Sequence, residues 1–128
     1  MGATNFAQSS RKQNSVLATA NANRDGTGTV VTVLGGVVAL VRGNEIAITP
    51  ITTVTEGHIT FFAYDGTNYR LIGEIHIDAW TAANTKTPPT YRWKIPDANR
   101  NLYATTDLIK ACTLNAETFH VEASYDVF

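Results

Sequence analysis

The chain has 128 residues, of which 16% are charged, and a formal net charge of −1 at pH 7. This length is typical of one domain with one hydrophobic core, and the near-neutral charge disfavours bulk binding of nucleic acid, whose partners carry a basic excess. No apolar run reaches the roughly 20 residues that a membrane helix requires.

The first 24 residues are polar and basic, which predicts an extended N-terminal arm outside the folded domain. The arm contains Arg11, Lys12 and Arg24 but no acidic residue, and its largest apolar patch is Val16-Leu17-Ala18. A segment with so little to bury is expected to be mobile on its own. We therefore predict an arm over residues 1–24 and a domain over residues 25–128, and we expect no targeting segment.

The first part of the domain has the turn signals and β-branched residues of short strands. The turn cluster Asp25–Gly28 precedes a predicted strand at Thr29–Leu34, and Gly35-Gly36 separates it from a second one at Val37–Val41. A third strand is predicted at Glu45–Val54. Its internal proline, Pro50, indicates an edge position or a bulge.

A β-hairpin is the clearest local pattern. The runs His58–Tyr64 and Tyr69–Ile77 are joined by the four-residue turn sequence Asp65–Asn68, which predicts two antiparallel strands. Alternation in the second strand predicts a buried face and a solvated face, with Ile72 as an exception on the latter. The residues expected on the buried face are Leu71, Gly73, Ile75 and Ile77.

Two further alternating runs lie at Thr90–Ile95 and Thr118–Tyr125, and Leu102–Thr106 is a shorter candidate strand. Only Thr106–Leu114 has a weak helical signal, enough for one or two turns. About seven or eight short strands with regular turns predict an all-β fold. We expect a β-sandwich, with a jelly roll as the topology to test.

The histidines give no metal-binding pattern. His58, His76 and His120 are isolated from one another in the sequence, whereas zinc sites use closely spaced ligands. On one strand face His76 has Glu74 and Asp78 as neighbours, an arrangement that could bind a cation but more often forms a solvated face. We predict no metal and no cofactor.

No catalytic motif is recognisable. The arm aside, Ser124 is the only serine, and the Gly26-Thr27-Gly28 sequence lacks the context of a nucleotide-binding loop. Cys112 is the only cysteine, which excludes an intrachain disulfide and predicts a small buried side chain. We therefore expect a protein that is not an enzyme.

The aromatic residues leave one binding function open. A platform for stacking sugars or bases could be built from such side chains, although aromatics at strand spacing are more often core residues. The candidates are Trp80, Tyr91, Trp93 and Tyr103.

Three segments resemble small virion proteins of tailed bacteriophages, some of which are similar to capsid decoration (cement) proteins. The segments are Asn21–Thr29, Phe61–Leu71 and Asn115–Val121. The resemblance covers most of the chain from about Ala18 onward. It implies a β-sandwich that trimerises on the outside of an icosahedral head, contacts the major capsid protein and is made in the cytoplasm of a bacterial host, and it supplies no family active site.

Under this hypothesis the arm docks on the capsid or on an adjacent copy. The residues predicted to bind the partner are Phe6, Arg11, Lys12, Leu17 and Arg24. Two alternatives remain at this point. One is a tail, neck or head-fibre component with the same sandwich, and the other is a carbohydrate-binding module that uses Trp80 or Trp93.

Overall fold

The computed structural model describes residues 9–36 and 40–127, and for residues 9 and 10 it describes the backbone only. The described residues form nine strands and one short 3-10 helix, Asp97–Asn99. The strands are β1 Ser9–Leu17, β2 Val31–Gly35, β3 Val41–Pro50, β4 Gly57–Tyr64, β5 Tyr69–Ile77, β6 Tyr91–Lys94, β7 Asn101–Leu102, β8 Leu108–Thr113 and β9 Phe119–Val127.

The strands form two antiparallel sheets, which confirms the predicted β-sandwich. Sheet I has the order β1-β9-β3-β6, with β7 also paired to β3, and sheet II has the order β2-β8-β4-β5. The antiparallel pairs β1 with β9, β2 with β8, β3 with β6 and β4 with β5 are nested within one another along the chain. With β7 set aside, eight strands in nested pairs shared between two sheets define a jelly roll.

The core lies between the sheets and is built by alternation. In β9 the side chains of Phe119, Val121, Ala123 and Tyr125 are all buried, as the sequence predicts. In β6 Tyr91 and Trp93 pack against the core, whereas Arg92 and Lys94 are exposed. The indole of Trp93 stacks on Phe61 of the facing sheet, with ring centroids 4.0 Å apart and planes at 1°.

The predicted hairpin is confirmed as β4 and β5, which are joined by residues 65–68. The expected alternation holds from Gly73 to Ile77 but is wrong at Leu71. A β-bulge inserts Ile72 opposite the step between Phe61 and Phe62, so Ile72 packs against the core while Leu71 is 45% exposed. One extra residue reverses the faces of a strand.

The expectation for the arm requires correction, because part of it is a strand of the sandwich. Ser9–Leu17 pairs with β9 in nine consecutive positions, and Leu17 is only 1% exposed in the core. The domain therefore does not begin at residue 25. Residues 1–8 lie outside the described part of the chain.

Other predictions are corrected in detail. The weak helical signal at Thr106–Leu114 is wrong, since Leu108–Thr113 is the central strand β8. The candidate strand at Leu102–Thr106 is reduced to Asn101–Leu102. Pro50 is the last residue of β3, a strand with neighbours on both sides. The predicted strand at Val37–Val41 lies partly outside the described residues.

Residues 20–29, called the strap below, cross the outer face of sheet II. Asn21 anchors the strap, because its backbone N donates to Thr113 O at 2.8 Å and its side-chain Nδ2 donates to the carbonyls of Thr27 and Thr29 at 2.9 Å each. Gly26 has φ +89°, and a Cβ at this position would lie 2.3 Å from Cγ of Tyr69. The strap thus touches the sheet directly, and only glycine fits there.

Candidate interaction surface

Each sheet ends in two edge strands, and one of the four differs from the others. In their pairing β2 and β5 are interrupted by bulges, and β6 has only four residues. By contrast, β1 runs for nine residues in unbroken register with β9, its one sheet neighbour within the described residues. Bulges and shortness are devices that protect an edge from pairing with another chain. The β1 edge has neither of them.

A shallow depression adjoins this edge on the outer face of sheet I. Its volume is about 710 Å³, and both polar and apolar residues line it. The residues that line it are Asn14, Ser15, Val16, Ala47, Thr49, Thr90, Arg92, His120, Val121 and Glu122. Val16 is 49% exposed although it is apolar. The β1 edge and the depression together are called the β1 surface below.

Charges on the β1 surface are largely compensated within the chain. Lys12 Nζ lies 3.3 Å from Glu122 Oε1, and Arg92 Nη1 donates to Glu45 Oε1 at 2.6 Å. Both pairs are well exposed, so water screens them and each contributes little to stability. The surface is therefore suited to recognition by shape and backbone hydrogen bonds more than by net charge.

The five residues predicted to bind a partner fall in different places. Phe6 lies outside the described residues. Arg11 and Lys12 are exposed in β1. The prediction for Leu17 is wrong, because a residue buried at 1% exposure in the core cannot also be a contact for a partner. Arg24 lies in the strap, remote from Arg11 and Lys12 in sheet I. The depression could not have been found from the sequence, because its lining depends on strand order.

Arg24 fastens the strap to sheet II through Glu74 of β5. Its Nε donates to Glu74 Oε2 at 2.8 Å and its Nη2 donates to Oε1 at 3.1 Å. Thr60 Oγ1 also donates to Glu74 Oε2, at 2.9 Å. The hydrogen bond from Arg24 is the main cause that lowers the pKa of Glu74, and burial of the carboxyl opposes it.

This ion pair predicts a specific loss of stability in acid. Because the pKa of Glu74 is lower in the folded chain than in the unfolded chain, its contribution is complete above the unfolded value of about 4.3 and is lost as the pH falls through the folded value. We expect Glu74→Gln to be slightly less stable than the wild type at neutral pH, and we expect this difference to shrink as the pH falls toward 3. Urea unfolding at several pH values measures this difference.

Arg24→Gln is the matched variant, since it removes the main cause of the lowered pKa and leaves the carboxylate in place. It should lose stability at neutral pH in the same way. A difference between the wild type and Glu74→Gln that stayed constant from pH 3 to pH 7 would contradict the assigned role.

The tryptophans do not form an open platform for sugars. One face of Trp93 is covered by Phe61, and Trp80 is half-buried against the core. In addition Val54 and Trp80 exchange two backbone hydrogen bonds, of 2.8 and 2.9 Å, which hold Trp80 in place. Both tryptophans therefore pack against the core, which is the commoner role for aromatic residues in strands.

Cys112 is buried at 2% exposure, as predicted, but it lies on the outer face of sheet II beneath the strap. Its Sγ is 3.9 Å from the carbonyl oxygen of Asn23. Burial is the main cause that raises the pKa of the thiol, and a thiol held protonated is a poor nucleophile.

No helix within residues 9–36 and 40–127 is long and apolar enough to cross a membrane.

Comparison with known proteins identifies no family. No protein-family model matches the chain, and no curated protein matches it. Among solved structures, the chain is similar to one chain in the structure of infectious bursal disease virus Gx strain, at 10% sequence identity and a TM-score of 0.36. The similarity covers 94% of this chain and 33% of the viral one, so this chain spans about a third of the length of its structural neighbour.

Proposed function

We propose that this chain is a structural, non-enzymatic virion protein that decorates the outside of a bacteriophage head and binds the major capsid protein. The observation that carries the proposal is the β1 surface, in which a long strand edge without bulges adjoins a shallow depression. The phage and decoration parts of the proposal come from the sequence resemblance. Jelly rolls also form many viral capsid domains, although the fold alone does not determine function.

The β1 edge can bind by strand addition. An extended segment of a neighbouring subunit would pair with the outward-facing N–H and C=O groups of β1 and place alternate side chains in the depression. Since Lys12 and Arg92 already have acidic partners in the same face, such binding would depend weakly on salt. Many copies bound in this way would brace adjacent capsid subunits, and self-association, with a trimer favoured, would add contacts between them.

Copy number separates this proposal from its closest alternative. A decoration protein is expected in hundreds of copies on the head exterior, whereas a tail, neck or head-fibre component is expected in few copies at one position. Quantitative gel analysis of purified particles, together with the mass of the free protein in solution, distinguishes the two.

Val16→Glu tests the β1 surface. The side chain is 49% exposed and lines the depression, so the variant should fold normally while introducing an uncompensated charge into the contact. We expect its binding to heads that lack the protein to weaken about tenfold or more. A tenfold loss of affinity corresponds to about 1.4 kcal/mol, and burying an unpaired charge costs more than this. Co-sedimentation with such heads over a range of protein concentrations measures the affinity.

Leu71→Glu is the matched control. Leu71 is 45% exposed but lies on the outer face of sheet II, on the other side of the sandwich. Its head binding should equal that of the wild type. Equal affinity of both variants would reject the β1 surface, and failure of the wild type to bind heads would reject the decoration function itself.

A further inference from the structure

The outer face of sheet II has a group of three metal-ligating side chains at the end opposite the hairpin loop. Glu56 directly precedes β4, Asp78 directly follows β5, and His76 lies within β5. Gly57 pairs with Ile77, so the next positions along the two strands, Glu56 and Asp78, face each other. We infer that Glu56, His76 and Asp78 form a binding site for a divalent transition-metal ion, with zinc as the ion that fits best.

The distances between the ligand atoms suit one small ion. His76 Nε2 lies 3.3 Å from Glu56 Oε2 and 3.2 Å from Asp78 Oδ1, and all three atoms lie within 4.8 Å of one another. Tetrahedral zinc with bonds of about 2.0–2.1 Å has ligands separated by about 3.3–3.4 Å along each edge. The two nitrogen–oxygen distances therefore already match two edges of such a site.

The backbone that carries the three ligands is fixed from several sides. Glu56 and Asp78 lie between two points of strand pairing, Gly57 with Ile77 and Val54 with Trp80. Outside the group, Asn115 Nδ2 donates to the carbonyl of Glu56 at 3.2 Å, and the backbone N of Asp78 donates to the hydroxyl of Tyr91 at 3.0 Å. Such support limits the reorganisation that binding would require.

The charges of the group favour the binding of a cation. Two carboxylates directly opposite each other on paired strands repel, and a divalent ion between them would remove the repulsion. The imidazole ligand favours zinc over Ca²⁺ or Mg²⁺, which take oxygen ligands. The side chains are 60–75% exposed, so the fourth position is open to water or to a ligand from another molecule.

The neighbouring histidine is not part of the site. His58 pairs with His76 across the two strands, but its Nε2 lies 3.7 Å from Glu74 Oε2 and 3.4 Å from Arg24 Nη2. The strap therefore engages both His58 and Glu74. From the sequence, Glu74 is the expected acidic neighbour of His76. In the structure Glu74 binds Arg24 instead, and Glu56 is the glutamate that lies beside His76.

Competition between the untagged full chain and a fluorescent zinc indicator tests the inference. We expect one zinc ion per chain, with affinity lowered about tenfold or more by His76→Ala and by Asp78→Asn, since even supporting residues of zinc sites have effects of this size. All three ligands are exposed, so these variants should remain folded, and circular dichroism checks this. His120→Ala is the control, because His120 is an exposed histidine on the other sheet.

Each possible result of this experiment supports or rejects the proposed zinc site. Zinc binding that His76→Ala weakens and His120→Ala leaves unchanged would support the site. Absence of zinc binding at micromolar concentrations would show that the group forms ion pairs only, and binding that is insensitive to His76→Ala and Asp78→Asn would place the zinc elsewhere. An excess of Ca²⁺ that displaced the zinc would overturn the role of the imidazole ligand.

Discussion

Deletion of residues 1–17 is expected to unfold the domain. The deletion removes all of β1, and with it nine positions of pairing to β9 and the buried side chain of Leu17. Truncation of one buried leucine to alanine costs about 2–5 kcal/mol, and a domain of this size has a total stability of about 5–15 kcal/mol. Loss of the whole strand should therefore exceed what the fold can tolerate. Circular dichroism and urea unfolding of the purified variant measure the effect.

Two further variants make this prediction specific. Deletion of residues 1–8 leaves every described strand in place and should keep the cooperative unfolding transition. Leu17→Ala should lower the free energy of unfolding by about 2–5 kcal/mol while the chain remains folded. A 1–17 deletion that unfolded cooperatively at the same urea concentration as the wild type would show that β1 is not an integral part of the sandwich.

The role of β1 also determines how head binding must be tested. Removal of the first 20 residues would abolish binding by destroying the fold, so it could not distinguish a docking strand from a structural one. A surface change such as Val16→Glu leaves the inward-facing Leu17 untouched. Point variants on the β1 surface are therefore the informative ones.

The sequence does not reveal β1 because its inward positions are mostly polar. Leu17 points into the core, but Ser15 and Gln13 precede it in the same alternation. The side-chain amide of Gln13 forms two hydrogen bonds with the backbone of Gly35, of 3.2 and 3.0 Å. A strand held by long-range amide contacts of this kind lacks the apolar alternation by which strands are predicted.

The sequence pattern fails to predict β8 for a different reason. Its residues Ile109, Ala111 and Cys112 are all buried, because the core covers one face of the strand and the strap covers the other. Burial on both faces removes the alternation that indicates a strand. By contrast, β6 and β9 have one solvated face each, and their alternation predicts them correctly.

The candidate metal site shows a third limit. His76 and Asp78 can be paired from the sequence, because residues two apart on a strand share a face. Glu56 lies in the site because Gly57 pairs with Ile77. Glu74 is not in the site because it forms an ion pair with Arg24 of the strap. Neither follows from local pattern, since both need the register of the sheet and the path of a distant loop.

Phe62→Ala is expected to destabilise the domain by about 3–5 kcal/mol, the range for fully buried phenylalanine, although Phe62 does not face the core between the sheets. Phe61 and Phe62 are consecutive in β4 and point to opposite faces of sheet II, yet both are 0% exposed. Phe62 packs edge-on against Tyr69, with centroids 6.2 Å apart, and Gly26 of the strap lies against that tyrosine. The outer face of sheet II thus contains a second, smaller apolar layer.

Leu71→Ala is the matched change, because Leu71 is the direct cross-strand partner of Phe62 but is 45% exposed. It should cost less than about 1 kcal/mol, as surface substitutions generally do. Urea unfolding of both variants gives the comparison. If the strap were open in solution, Phe62 would be partly solvated in the folded state, and Phe62→Ala would cost little more than Leu71→Ala. A large difference between the two would instead mean that the strap is a structural layer of the domain, and that the face beneath it is closed to partners.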